Sequence, residues 1–166
     1  MITDLVQIRR LGEQKRQENE KFRRYIKTHS FPERKFRHMA EEIEQQIDCR
    51  SCAKCCVGLT TKLADRDMEK LAKFLRVTAD EFRANYTQPG DEGLDLKQVD
   101  GRCVFLDGKD CSVYEARPGV CADFPHLVRG NGSIAFRMWQ FIDRACYCPI
   151  VYNSLEAYKD EVGFNR

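Results

Sequence analysis

Apolar side chains return every three or four residues along much of this chain, which predicts a helix-rich protein. Leu5, Ile8 and Leu11 keep that spacing, residues 12–21 hold no large apolar side chain, and Phe22, Tyr25 and Ile26 resume it. The pattern is that of a solvated helix with two apolar patches. Ser30-Phe31-Pro32-Glu33 has the form of a capping box with proline in the first turn, and Phe36, Met39, Ala40, Ile43 and Ile47 then line one face of a further helix. Asp65-Arg66-Asp67 opens a short helix whose Met68, Leu71, Phe74 and Leu75 are expected to face inward. Thr78-Ala79-Asp80-Glu81 is a second capping box, followed by Phe82 and Tyr86.

Between residues 88 and 101 the chain turns to Pro, Gly and Asp, which predicts an exposed connection without regular structure. Cys103–Leu106 and Cys111–Tyr114 flank Asp107-Gly108-Lys109-Asp110 and read as a β-hairpin with the two cysteines on paired strands. Arg129-Gly130-Asn131-Gly132-Ser133 is a second turn, between His126-Leu127-Val128 and Ile134-Ala135-Phe136. Ser154 is the expected N-cap of a last helix carrying Leu155, Tyr158 and Val162. The fold class that follows is α+β: a helix-rich small domain with short β-hairpins, organised around a cysteine-ligated metal centre.

At 166 residues the chain has room for one sizeable core. Its longest apolar runs are only about three or four residues, as in Val104-Phe105-Leu106, against the roughly 20 that cross a bilayer, so no membrane association is expected. Met1-Ile2-Thr3-Asp4-Leu5-Val6 lacks the pattern of a secretory signal, so a cytoplasmic location is expected. The net charge of +2 conceals a division: residues 9–37 carry eleven Lys and Arg against Glu13, Glu18, Glu20 and Glu33, a local +7 that leaves −5 elsewhere. We therefore divide the chain into a basic helical arm, residues 1–46, and a cysteine-cluster domain, residues 47–166. Arg9, Arg10, Lys15, Arg16, Lys21, Arg23, Arg24 and Lys27 could track nucleic-acid phosphates, with Phe22 and Tyr25 stacking. The interleaved glutamates break the positive stripe and favour a helix that packs on the body or on a second copy.

Cysteine is the compositional anomaly. Nine thiols in 166 residues fall short of a disulfide scaffold, and an odd count without an export signal favours metal-bound or redox thiols. Cys49-x2-Cys52-x2-Cys55-Cys56 places four thiols in eight residues, with Cys103, Cys111, Cys121, Cys146 and Cys148 distributed behind them. Two intervening residues let the chain turn so that both sulfurs face one space. The first three cysteines reproduce the spacing of bacterial ferredoxins, and Cys148-Pro149 resembles their remote fourth ligand, so an iron-sulfur cluster is one candidate cofactor. Cys-x2-Cys joined to a hairpin cysteine pair is equally the arrangement of tetrahedral zinc. Adjacent Cys55 and Cys56 project differently, which implies two sites or one polynuclear centre. Either Cys146 or Cys148 is a spare, and the proline after Cys148 favours Cys148 as the ligand.

Three blocks, Cys49–Cys56, Gly101–Leu106 and Cys111–Pro125, closely resemble the YkgJ-type cysteine-cluster proteins, described as zinc- or iron-chelating domains with eight recurring cysteines. The resemblance spans roughly residues 49–148. It implies that Cys49, Cys52, Cys55, Cys56, Cys103, Cys111 and Cys121 are ligands, with the eighth at Cys146 or Cys148. Lys54 departs from the glycine common before the double cysteine, and Ala122 from an arginine that usually follows the third downstream cysteine.

Tyr114, Glu115, Arg117 and Asp123 surround the later cysteines, where such residues orient ligands or clamp an anion. His126 could replace a thiolate; the alternative is a surface or hairpin histidine. His29 and His38 lie in the charged arm and need no such role. The sequence has no phosphate-binding glycine loop, dinucleotide fingerprint, Gly-x-Ser-x-Gly elbow or His-Glu-x-x-His pair, so a conventional enzyme is disfavoured. The expected function is a metal-binding protein with an electron-transfer or redox role, serving an unidentified protein or redox partner. The alternatives are an enzyme similar to the iron-sulfur-dependent flagellin lysine methylases, or a zinc-stabilised nucleic-acid-binding module.

Overall fold

The computed structural model describes residues 1–164 and has the expected helix-rich α+β character. Three helices come first: α1 (Leu5–Gln14), α2 (Arg16–Thr28) and α3 (Glu33–Gln45). A single turn, α4 (Cys49–Cys52), and a 3-10 turn (Lys54–Cys56) carry the dense cysteines, and α5 (Asp65–Leu75) and α6 (Ala79–Tyr86) follow. Three two-stranded antiparallel hairpins succeed one another: β1 (Thr87–Gly90) with β2 (Gly93–Leu96), β3 (Gln98–Val99) with β4 (Arg102–Cys103), and β5 (Leu106–Asp107) with β6 (Asp110–Cys111). A 3-10 turn (Tyr114–Ala116), α7 (Gly119–Asp123), α8 (Ile134–Arg144) and α9 (Pro149–Glu161) complete the order. The chain forms two compact units, Met1–Asp48 with the stretch from Pro125 onward, and Cys49–Phe124. Among the described residues no helix is long and apolar enough to cross a membrane.

In the helical unit, α1 and α3 pack on α9, and α2 packs on α8. The predicted stripes supply the contacts: Ile8, Phe22, Ile26, Phe36, Ala40 and Ile43 are buried. Phe22 meets the Tyr158 ring edge-on at 5.6 Å, and Phe36 lies 4.5 Å from it. Asp4 caps α1 by accepting the Gln7 amide at 2.8 Å. Lys159, fully buried, donates to Glu18 and Glu156 at 2.6 Å each, and Lys15 also pairs with Glu156.

Several local expectations are corrected in this unit. The box at Ser30–Glu33 does not form; Pro32 is the N-cap of α3, and the Glu33 carboxylate instead accepts the Ile134 amide at 2.8 Å, at the start of α8. The turn at Arg129–Ser133 leads directly into that helix, which Ser133 caps by accepting the Phe136 amide at 3.1 Å. Ser154 is not an N-cap but a buried residue inside α9, which starts five residues earlier behind Cys148 with Pro149 in its first turn.

The cysteine-rich unit has its own core of Leu63, Met68, Leu71, Ala72, Phe82, Leu96, Phe105, Val113 and Ala116. Phe82, Tyr86 and Phe105 stack in series, with ring centroids 5.5 and 5.2 Å apart. Thr78 and Glu81 form their capping box as predicted. Phe74, expected inward, is 45% exposed, and Ala72 takes the buried position. Residues 88–101 are not irregular: they contain a hairpin with Gly90 opposite Gly93, Asp91-Glu92 as its loop, and the start of the next. The predicted hairpin around Gly108-Lys109 does form, but Cys111 pairs with Leu106 while Cys103 pairs with Gln98 on the preceding hairpin. The two cysteines are therefore not cross-strand partners.

Candidate metal centre

Seven of the nine cysteines, Cys49, Cys52, Cys55, Cys56, Cys103, Cys111 and Cys121, fall in one unit and arrive on four local devices. Cys49 and Cys52 are the two ends of α4, and Cys55 and Cys56 close the 3-10 turn. Ala53 joins these turns in the left-handed region, with φ 50° and ψ 13°, donating to Cys49 O at 2.9 Å and accepting from Cys56 N at 3.0 Å. That bend reverses the chain between the two pairs, and a non-glycine residue holds it at a cost of about 1 kcal/mol. Ala53 is buried, which fixes the bend by packing.

Cys103 and Cys111 use one device twice. The backbone amides of Phe105 and Val113, each two residues on, favour the thiolates of Cys103 and Cys111, against the burial that raises both. Phe105 and Val113 are core residues, so each amide is held by the apolar interior. Such N–H···S bonds stabilise a thiolate and occur around sulfur-bound metals. Cys121 sits on α7, with Thr61 Oγ1 3.7 Å from its sulfur. Burial pushes the Cys121 thiol up to about 11, aided by the nearby thiols of Cys103, Cys56 and Cys111; burial also raises Cys103 and Cys111. A hydrogen bond from Cys55 lowers Cys56 to about 7, against its burial.

Cys103, Cys56 and Cys111 each act electrostatically on Cys121, and α4 lies against β6, which bears Cys111. Among the described residues, no group of three or more His, Cys, Asp or Glu side chains has the arrangement that holds a metal ion. The donor set itself fits zinc or iron: soft thiolates, two of them supplied with backbone donors.

Of the polar residues singled out beside the cysteines, Tyr114 is the platform. The Arg117 guanidinium lies 3.9 Å from its ring centroid, and that of Arg50, inside the Cys49–Cys52 turn, lies 5.5 Å away. Arg117 also lowers Cys111 electrostatically. Two cations thus stand where a set of thiolates would accumulate negative charge. Glu115 is exposed. Asp67 was not foreseen as a site residue; its Oδ1 accepts the Gly119 amide at 3.0 Å and so anchors the helix that carries Cys121. Its only sequence signal was its place in the first turn of a helix, which any acidic residue shares.

Cys146 and Cys148 belong to the helical unit. The Cys146 thiol is buried, accepts from Arg16 Nη2 at 3.4 Å and donates to Ile142 O at 3.7 Å; burial pushes it up to about 11. His126 lies in that unit too, in the left-handed region with φ 66°. His29 stacks on Tyr25 at 4.1 Å, and His38 faces Glu42 at 3.5 Å.

Residues 48–149 match the family model described as "Putative zinc- or iron-chelating domain", the CxxCxxCC family, and the chain belongs to that family. It is also similar to an uncharacterized protein of Methanocaldococcus jannaschii, MJ0661, with 33% identity over 97 residues. That match covers 55% of this chain and 52% of the relative, so the chain spans about half the length of the curated relative. No solved structure matches.

Proposed function

We propose that this protein holds a polynuclear thiolate metal centre, of zinc ions or of an iron-sulfur cluster, in the unit Cys49–Phe124. Cys49, Cys52, Cys55, Cys56, Cys103, Cys111 and Cys121 would be its ligands. The observation that carries this reading is the gathering of seven free cysteines, from Cys49 to Cys121, into one compact unit. Seven thiols exceed the four that one tetrahedral zinc takes, which is why the centre is read as polynuclear. In the iron case the centre would supply one-electron redox chemistry, and in the zinc case it would stabilise the fold. The chain's own contribution is to orient sulfur with backbone donors and to offset its charge with Arg50 and Arg117. Oxygen-free purification followed by elemental analysis and visible absorption tests it. More than one metal ion per chain supports the reading, bleachable visible absorbance selects iron-sulfur, and a colourless zinc protein selects zinc. Protein that is fully folded yet metal-free refutes it.

A further inference from the structure

Three arginines of the helical unit converge on the loop of residues 125–132. Arg144 Nη1 donates to Pro125 O at 3.0 Å, Arg137 Nη1 to His126 O at 2.5 Å, and Arg37 Nη1 to Val128 O at 2.7 Å. Gly130, with φ 150°, approaches so closely that a Cβ there would lie 2.4 Å from Arg137 Nη1. Arg137 itself is only 7% exposed, and its guanidinium lies 5.4 Å from the Phe141 ring centroid.

Among the described residues only Nη1 of this guanidinium has a partner; Nε and Nη2 are buried without one. Those two nitrogens form one edge of the planar group, the edge whose parallel N–H bonds match two oxygens of a carboxylate or phosphoryl group. The charges facing Arg137 are the cations Arg37 and Arg144 and the acid Glu33. Glu33 is already engaged: Oε1 accepts the Ile134 amide at 2.8 Å, and Oε2 lies 3.8 Å from Arg37. The surroundings of this edge are therefore net positive, and a buried guanidinium edge left unpaired is unfavourable.

We infer that Arg137, with Arg37 beside it, forms an anion site at the loop of residues 125–132, taking the oxyanion of a carboxylate or phosphoryl compound along its Nε–Nη2 edge. The site is independent of the cysteines, and every residue in it belongs to the helical unit.

The test uses the full-length protein with whatever metal it carries. Thermal unfolding is followed during titration with sodium acetate and with sodium sulfate, against sodium chloride at matched ionic strength. A saturable rise in Tm beyond chloride is expected; acetate as the effective ion indicates a carboxylate ligand, and sulfate a tetrahedral phosphoryl ligand. Arg137→Lys keeps the charge but removes the planar edge, and should raise the half-saturating concentration at least about tenfold, the effect of one charge-assisted bond. Arg37→Gln, at a side chain 29% exposed, should raise it several-fold and decides the matter if Arg137→Lys does not fold. No rise beyond chloride in the unaltered protein overturns the inference. So does an equal rise in the variants, which would mark a general salt effect on stability.

Discussion

Asp67 joins two segments of the cysteine-rich unit: Oδ1 accepts the Gly119 amide at 3.0 Å and Oδ2 the Ala64 amide at 3.3 Å. The first bond holds the start of α7, two residues before Cys121, and the second caps α5. Asp67→Ala would leave both amides without this acceptor, at about 1–3 kcal/mol. Denaturant unfolding should show that loss, and metal bound per chain should fall with it, because α7 loses its anchor to α5. A variant with unchanged stability would show the bond to be incidental.

Cys146 and Cys111 should behave oppositely. The Cys146 thiol is engaged by Arg16 and the Ile142 carbonyl, whereas Cys111 has a backbone donor, in the manner of a thiolate ligand. Cys146→Ala is expected to leave the metal content unchanged, and Cys111→Ser to lower it. Elemental analysis of both variants beside the unaltered protein is the check; metal loss in Cys146→Ala would place that sulfur among the ligands.

Glu156 sustains the buried Lys159. Burial raises its carboxyl, but hydrogen bonds from Lys15 and Lys159 outweigh burial and hold it below the usual glutamate range. A depressed carboxyl contributes stability above its unfolded pKa and loses it as pH falls through the folded value. Glu156→Gln should therefore cost about 2 kcal/mol at pH 7, less than a fully enclosed pair because some solvent reaches it. The difference between Glu156→Gln and the unaltered protein should shrink below about pH 4.5. Chemical denaturation across pH 3–7 measures it, and a constant difference would contradict the assignment.

Gly12 inverts the usual helix preference. Glycine to alanine inside a helix normally stabilises by about 0.5–1 kcal/mol. Here a Cβ would lie 2.6 Å from both Ala145 O and Cys146 Cα, backbone atoms that cannot swing aside. Gly12→Ala should destabilise by about 1–3 kcal/mol, read as a lowered Tm. A stabilised variant would mean that α1 can move off the segment after α8.

The two capping-box readings show where sequence reading succeeds and fails. Thr78 and Glu81 sit three residues apart and need nothing else, and their box forms. Glu33 has the same local pattern, yet its carboxylate serves the amide of Ile134, about a hundred residues later. Ser154 likewise has a capping side chain, but the helix around it is set by burial along α9 and by Pro149. The hairpin at Gly108 was legible from its turn residues, whereas the Cys103 pairing depended on a neighbouring hairpin whose Pro, Gly and Asp read as irregular.

The sequence by itself determined the helix-rich α+β class, the apolar stripes and the metal-chelating family, because helical periodicity and cysteine spacing are short-range properties of the chain. Tertiary structure decided that α1–α3 share a core with α8 and α9, that Cys49 to Cys121 fall in one unit apart from Cys146 and Cys148, and that Arg137 is buried. Each of those depends on which distant surfaces bury one another, and burial is a property of the packed whole that no local spacing encodes.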